Sequence, residues 1–132
     1  MTARVFIDGA VGTTGLEIVE RLSARPEFSL VLLDDTARKD AAARADAYAQ
    51  ADFAVLCLPD EAAVEAVALA EGSGVRIVDA SSAHRVADGW TYGFPELTGR
   101  EAVASARLVS NPGCYPTGFL GLVAPLVRAG LL

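Results

Sequence analysis

A chain of 132 residues can build one domain with a real core and is too short for two full ones. Hydrophobic residues make up 52% and charged residues 21%, a globular balance that excludes a disordered polymer. The net charge of −6, with no cluster of Lys and Arg, argues against nucleic acid as a partner. Met1 to Val5 hold no apolar signal core. The longest apolar stretch, Gly118 to Leu132, contains Pro125 and Arg128 and is too short to cross a bilayer. These features point to the cytoplasm, a reducing compartment in which Cys57 and Cys114 are to be judged singly rather than as a disulfide.

Strand-length apolar runs alternate with helical stretches. Arg4 to Ile7 reads as a first strand, and Gly15 to Arg25, with Leu16, Ile18, Val19 and Leu22 on one stripe, as a helix. Ser29 to Asp34 contains a continuous apolar run, Leu30 to Leu33, the pattern of a strand covered on both faces. Asp40 to Gln50 reads as a helix and Phe53 to Leu58 as a strand closed by Pro59. Asp60 to Glu71 reads as a helix with Asp60 as N-cap and Gly72 as its end, and Val75 to Val78 as a fourth strand. This β-α-β-α-β-α-β order predicts a parallel sheet of the α/β, Rossmann-like doubly wound class. The segment from Ser81 to Leu97 is expected to be an ordered loop punctuated by Gly89, Gly93 and Pro95. Thr98 to Glu101 fits a capping box that opens a short helix. Leu108 to Ser110 is one more strand, and an apolar helix is expected from about Gly118, hydrophobic nearly all round and therefore buried.

The chemistry concentrates in three places. Gly9-Ala10-Val11-Gly12-Thr13-Thr14-Gly15 links the first strand to the first helix. Glycines there let the backbone turn and approach a pyrophosphate, and the helix N-terminus supplies free N–H groups. Some twenty residues further on, Asp34 and Asp35 suit the ribose hydroxyls of NAD, while Arg38 and Lys39 suit a 2′-phosphate. Cys57 lies in the apolar run Val55 to Leu58 and reads as a small core residue. Cys114 stands after Gly113, between Pro112 and Pro116, ahead of a helix, where the helix dipole favours a reactive thiolate; a buried structural thiol is the alternative. Asp79 to Arg85 follows the fourth strand, where parallel sheets place their ligands, and Arg85 could hold a phosphate by its fork of donors. His84, the only histidine, is expected to be a hydrogen-bonding residue rather than a base.

With these stretches assembled, and with Tyr92-Gly93-Phe94-Pro95-Glu96-Leu97 and Asn111-Pro112-Gly113-Cys114-Tyr115-Pro116-Thr117 added, the chain resembles the shorter form of the N-acetyl-gamma-glutamyl-phosphate reductase family over essentially its whole length. The resemblance implies Cys114 as the nucleophile, Arg85 and Asn111 as substrate-binding residues, and NADP(H) as cofactor. The cofactor would be held by Gly9, Val11, Gly12, Thr13, Thr14, Gly15, Arg38, Lys39, Pro59 and Ser81. It implies no metal, a small acyl phosphate as substrate and a homo-oligomer for the full-length protein. It also implies residues 1–113 as the nucleotide-binding domain, with residues 114–132 as the start of a catalytic and dimerisation domain that continues beyond Leu132 and carries the acid–base group. Reductases of acetylaminoadipyl or aspartyl phosphate, and a non-catalytic nucleotide-binding module, are the alternatives.

Overall fold

The computed structural model describes all 132 residues. β1 (Ala3–Asp8), β2 (Phe28–Val31), β3 (Phe53–Leu56), β4 (Arg76–Asp79), β5 (Thr91–Tyr92) and β6 (Leu108–Ser110) form one sheet in the order β2-β1-β3-β4-β6-β5, with every pairing parallel. The helices are α1 (Thr13–Ser23), α2 (Ala41–Gln50), α3 (Asp60–Leu69), α4 (Pro95–Thr98), α5 (Arg100–Ser105) and α6 (Cys114–Arg128). The chain builds outward from β1 in one direction to β2 and in the other to β3 and β4. The carboxyl end of β1 is thus a topological switch point, where open α/β sheets bind ligands.

The core explains why β1 carries no polar residue between Val5 and Ile7. All of Val5, Phe6, Ile7 and Asp8 are buried, because this strand is covered on both faces. Phe6 meets Tyr48 of α2 edge to face, ring centres 4.9 Å apart. Ala47 of α2 and Ala63 and Ala66 of α3 join Phe6, Ala54, Leu56 and Ile77 in the same core. Their small side chains let both helices lie close to the sheet.

Several sequence expectations change. The β2 run is not covered on both faces: β2 is an edge strand, paired only to β1, and its residues are half-buried or exposed. The strand ends at Val31, and Asp34 instead accepts from the Thr36 and Ala37 amides ahead of a turn of 3₁₀ helix at Ala37–Lys39. The N-cap of α3 is Pro59, because the Asp60 carboxylate is engaged by Ser82. No capping box forms: Thr98 closes α4 and donates its hydroxyl to the Tyr92 and Phe94 carbonyls, while Gly99, at φ +96°, precedes α5. The expected loop from Ser81 to Leu97 instead contains β5 and the start of α4. The last helix starts at Cys114 rather than Gly118, since Pro116 in a first turn forfeits only an N–H that has no intrahelical partner. Nor is α6 buried. Phe119, Leu122, Leu126 and Val127 are exposed, and only Leu120, Val123 and Ala124 are partly covered. No helix is long and apolar enough to cross a membrane.

Candidate functional site

The glycine turn is held by close contacts that exclude side chains. Gly9 has φ +89°, and a Cβ there would lie 2.3 Å from the Cys57 carbonyl oxygen. A Cβ on Gly15 would lie 2.1 Å from the Gly9 carbonyl oxygen, so α1 packs directly on the turn. Gly12 donates its N–H to the Gly9 carbonyl (3.1 Å) and serves as N-cap of α1. No side chain caps α1 and no acid stands in its first turn, so the first-turn N–H groups at Thr13, Thr14 and Gly15 are left to an incoming anion. Beside the turn lies a cavity of about 230 Å³ lined by residues that include Gly9, Ala10, Val11, Leu33, Arg38, Arg44 and Leu58.

The structure sorts the charged residues after β2. Arg38 lines the cavity and pairs with Asp35 at 3.0 Å. Lys39 is exposed and does not line it, and neither does Asp34 or Asp35. Bonds from the Ala37 and Thr36 amides to Asp34 Oδ1 hold that carboxyl below the usual carboxylate range.

The groups beneath the turn leave little trace in the sequence. Asp8 is buried and accepts from Arg44 Nε (3.2 Å), Arg44 Nη2 (2.9 Å) and the Tyr48 hydroxyl (2.5 Å), all on Oδ2. Arg44 Nη1 also donates to Glu65 (3.0 Å), which ties β1, α2 and α3 together. Burial, then the charge and hydrogen bond of Asp8, push the Tyr48 phenol well above its usual range. The one available signal was an aspartate closing an apolar strand just before the glycine turn; nothing in the alanine-rich α2 sequence paired it with Arg44.

The second cluster lies at the carboxyl ends of β4 and β6. Asp79 is fully buried and holds the following loop: it accepts from the Ser81 amide (2.9 Å), the Ser81 hydroxyl (2.7 Å) and His84 Nδ1 (2.6 Å). The His84 ring stacks on Trp90, with centres 4.1 Å apart and planes 13° apart. His84 is thus a buried hydrogen-bonding residue. Ser82 fastens the same loop to the head of α3 through Asp60, by its amide (2.9 Å) and its hydroxyl (2.5 Å). Those bonds hold the Asp60 carboxyl below the usual range. Pro59 is exposed beside them.

This loop delivers Arg85 to the start of α6. Arg85 Nε donates to the Asn111 carbonyl (3.2 Å), and the Asn111 amide donates to the Asp79 carbonyl (2.7 Å). A Cβ on Gly113 would lie 2.7 Å from Arg85 Nη1, so glycine is what lets the guanidinium lie against the peptide before Cys114. Cys114 is an exposed free thiol at the first position of α6, a helix with no side-chain N-cap and no acid in its first turn. Arg85, Val86, Tyr92, Pro116 and Leu120 line a cavity of about 440 Å³ alongside. Cys57 is also free, but it is half-buried, and burial, with the charges of Asp8 and Asp79, pushes its thiol up to about 11. A larger cavity of about 660 Å³ between α4 and α5, lined by Pro95, Glu96 and Arg100 among others, touches none of these groups.

A parallel sheet with a glycine turn at its switch point, and a free cysteine at a helix start after β6, defines an α/β domain of the dinucleotide-binding type. The family model for the semialdehyde dehydrogenase, NAD binding domain, matches residues 34–106, more than half the chain, and the chain belongs to that family. It is also similar to N-acetyl-gamma-glutamyl-phosphate reductases: 55% identical over 98% of the chain to that of Trichormus variabilis, and 56% over 97% to that of Burkholderia ambifaria. The chain spans about 41% of the length of these curated relatives. Among solved structures, aspartate semialdehyde dehydrogenase from Francisella tularensis matches with TM-score 0.77 at 15% identity, over 98% of this chain and 42% of that one. The Candida albicans enzyme with NADP matches with TM-score 0.70 at 14% identity, over 98% and 48%. At such identities these structures speak for the fold alone.

Proposed function

We propose that this chain is the nucleotide-binding and thiol-bearing part of a cytoplasmic, homo-oligomeric reductase that converts N-acetyl-gamma-glutamyl phosphate to the semialdehyde with NADPH. Residues 1–113 form the cofactor domain, and residues 114–132 open a catalytic and dimerisation domain. The observation that carries the reading is the exposed Cys114 at the start of α6, with the Arg85 guanidinium against the adjoining Gly113 peptide. The named reductases that align at 55% identity support the choice of acyl phosphate.

The residues fit a dinucleotide. Gly9 and Gly15 let strand, turn and helix pack with no side chain between them, the first turn of α1 keeps its N–H groups uncapped, and Arg38 lines the adjacent cavity. Gly9, Val11, Gly12, Thr13, Thr14 and Gly15 would hold the pyrophosphate and Arg38 the ribose end, with Pro59 and the Ser81 loop flanking the same strand ends. When bound, the reduced nicotinamide supplies the hydride that takes the thioester on to the aldehyde. The chain's own residues do the rest. The Cys114 thiolate attacks the acyl carbon, the C–O bond to phosphate breaks, and a thioester forms on Cys114. The Cys114 and Tyr115 N–H groups at the start of α6 stabilise the oxyanion, and Arg85 takes the departing phosphate by its guanidinium fork. Asn111 positions Arg85 through its carbonyl.

The test is the reverse reaction in the protein that carries this sequence, followed as NADP reduction with N-acetylglutamate semialdehyde and phosphate. Phosphate-dependent reduction that C114S abolishes is expected. Reduction that is indifferent to phosphate or survives C114S would overturn the reading.

A further inference from the structure

A carboxylate buried at the end of a central strand persists only if its charge is met. Asp8 is met by Arg44 and Tyr48, and Arg44 in turn reaches Glu65. A guanidinium has five N–H donors. Bonds to Asp8 and Glu65 use Nε and one N–H on each terminal nitrogen, leaving a second N–H on Nη1 and on Nη2. Arg44 lines the cavity that also meets Gly9, Ala10, Val11 and Arg38. Lys39, the second cation suggested by spacing along the chain, does not reach it.

Two guanidinium groups therefore share one cavity beside the glycine turn. One, Arg38, is partly exposed and paired with an exposed acid, Asp35. The other is buried and held by Asp8, which lines the same cavity. We propose that Arg44 is a specificity-determining residue for the cofactor, acting with Arg38 to take the 2′-phosphate monoester that separates NADPH from NADH. The inference rests on the nucleotide-binding reading and deepens it. Arg44 suits the role because its planar fork is already ordered by Asp8, so little freedom is lost when a phosphate oxygen meets the remaining donors. Asp8 and Tyr48 are then positioning residues, acting through Arg44. Glu65, 61% exposed, works against the site: its carboxylate draws on Arg44 Nη1 and its charge opposes the phosphate.

Titrating the full chain with NADPH and with NADH, unsubstituted and as R44M and E65Q, tests this, with thermal unfolding run beside each variant. R44M is expected to lose about tenfold or more in NADPH affinity, as for one charge-assisted bond, while NADH affinity changes little. E65Q, at an exposed position, keeps the test decisive if R44M does not fold: NADPH binding should tighten severalfold with NADH binding unmoved. Equal loss of both cofactors in a folded R44M, or NADPH affinity unchanged in E65Q, would overturn the assignment of Arg44 alone. No binding of either nucleotide by the unsubstituted protein would overturn the nucleotide-binding reading and this inference with it.

Discussion

The two motif-bearing ends of the sheet are built on opposite principles. Under the glycine turn the central charges are buried and met: Asp8, Arg44 and Tyr48 lie almost out of solvent, with Arg44 and Tyr48 both donating to Asp8. At the start of α6 the reverse holds. Cys114 is exposed, its helix has no side-chain cap, and the apolar face of Phe119, Leu122 and Leu126 is open. Arg85, delivered by the Asp79–His84 loop, is brought against it. On the proposed function, the contrast places stability in one region and reactivity in the other. Buried ion pairs cost stability when one partner is removed, whereas an exposed group at a helix start can change without touching the core.

The sharpest way to break that contrast is a pair of substitutions read on both scales. C114S should lower turnover by about a thousandfold or more, as for loss of a covalent nucleophile, while unfolding free energy moves by less than about 0.5 kcal/mol. A variant that unfolds in less urea would place Cys114 in the structural half. D8A should do the opposite. Leaving Arg44 buried with only the exposed Glu65 to meet it costs about 3–5 kcal/mol, read as a lower urea midpoint at constant slope. A loss under about 1 kcal/mol would mean that the network beneath the turn is dispensable.

Thiol labelling sharpens the comparison within one molecule. With its thiol at about 11, Cys57 is almost wholly protonated at pH 8, and half-burial restricts access to it. Brief alkylation at pH 8 followed by mass spectrometry should find Cys114 modified and Cys57 intact, with rates about a hundredfold apart. Modification of Cys57 first, in folded protein, would remove the basis for treating the two sites as opposites.

How far the sequence revealed these regions depended on the range of the interactions. The glycine turn, the succession of strands and helices up to β4 and the cysteine ahead of a helix were legible because they rest on local signals: the glycines at Gly9 to Gly15, apolar runs, and a proline on each side of Gly113-Cys114. The Asp8–Arg44 pair, 36 residues apart, was not, because the packing of an alanine-rich helix on the sheet decides which of its charges points inward. The same lack explains α3, where Asp60 looked like a helix cap but is claimed by Ser82, 22 residues away. It explains α6 too: an apolar composition measures what a helix could bury, and only packing determines what it does bury. Arg85 was placed by its strand-end position, yet its contact with Gly113 needed the fold.

The smallest expected effect is on the pH dependence of stability, and it isolates one side chain of the buried region. Tyr48 is fully buried, and burial together with the charge and hydrogen bond of Asp8 raises its phenol well above the ordinary value near 10. A group raised on folding contributes stability that is intact below its unfolded value and lost as pH climbs past it. Above pH 10 the unfolded chain releases the phenolic proton while the folded chain keeps it, so ionisation pulls the equilibrium toward unfolding. At pH 11 the loss from Tyr48 is about 1.4 kcal/mol, one unit beyond the unfolded value. Other titrating groups, Cys57 included, add to the alkaline slope in every variant, so the comparison must be with Y48F, which keeps the ring against Phe6 and removes only the hydroxyl. Y48F should be the less stable protein at pH 8, where the bond to Asp8 is lost. Between pH 10 and 11 the gap between the two should narrow by about 1 kcal/mol in urea unfolding. A gap that stays constant across that range would show that the Tyr48 hydroxyl is not held as a neutral donor to Asp8, and would make the floor of the glycine turn as permeable as the exposed end of the sheet.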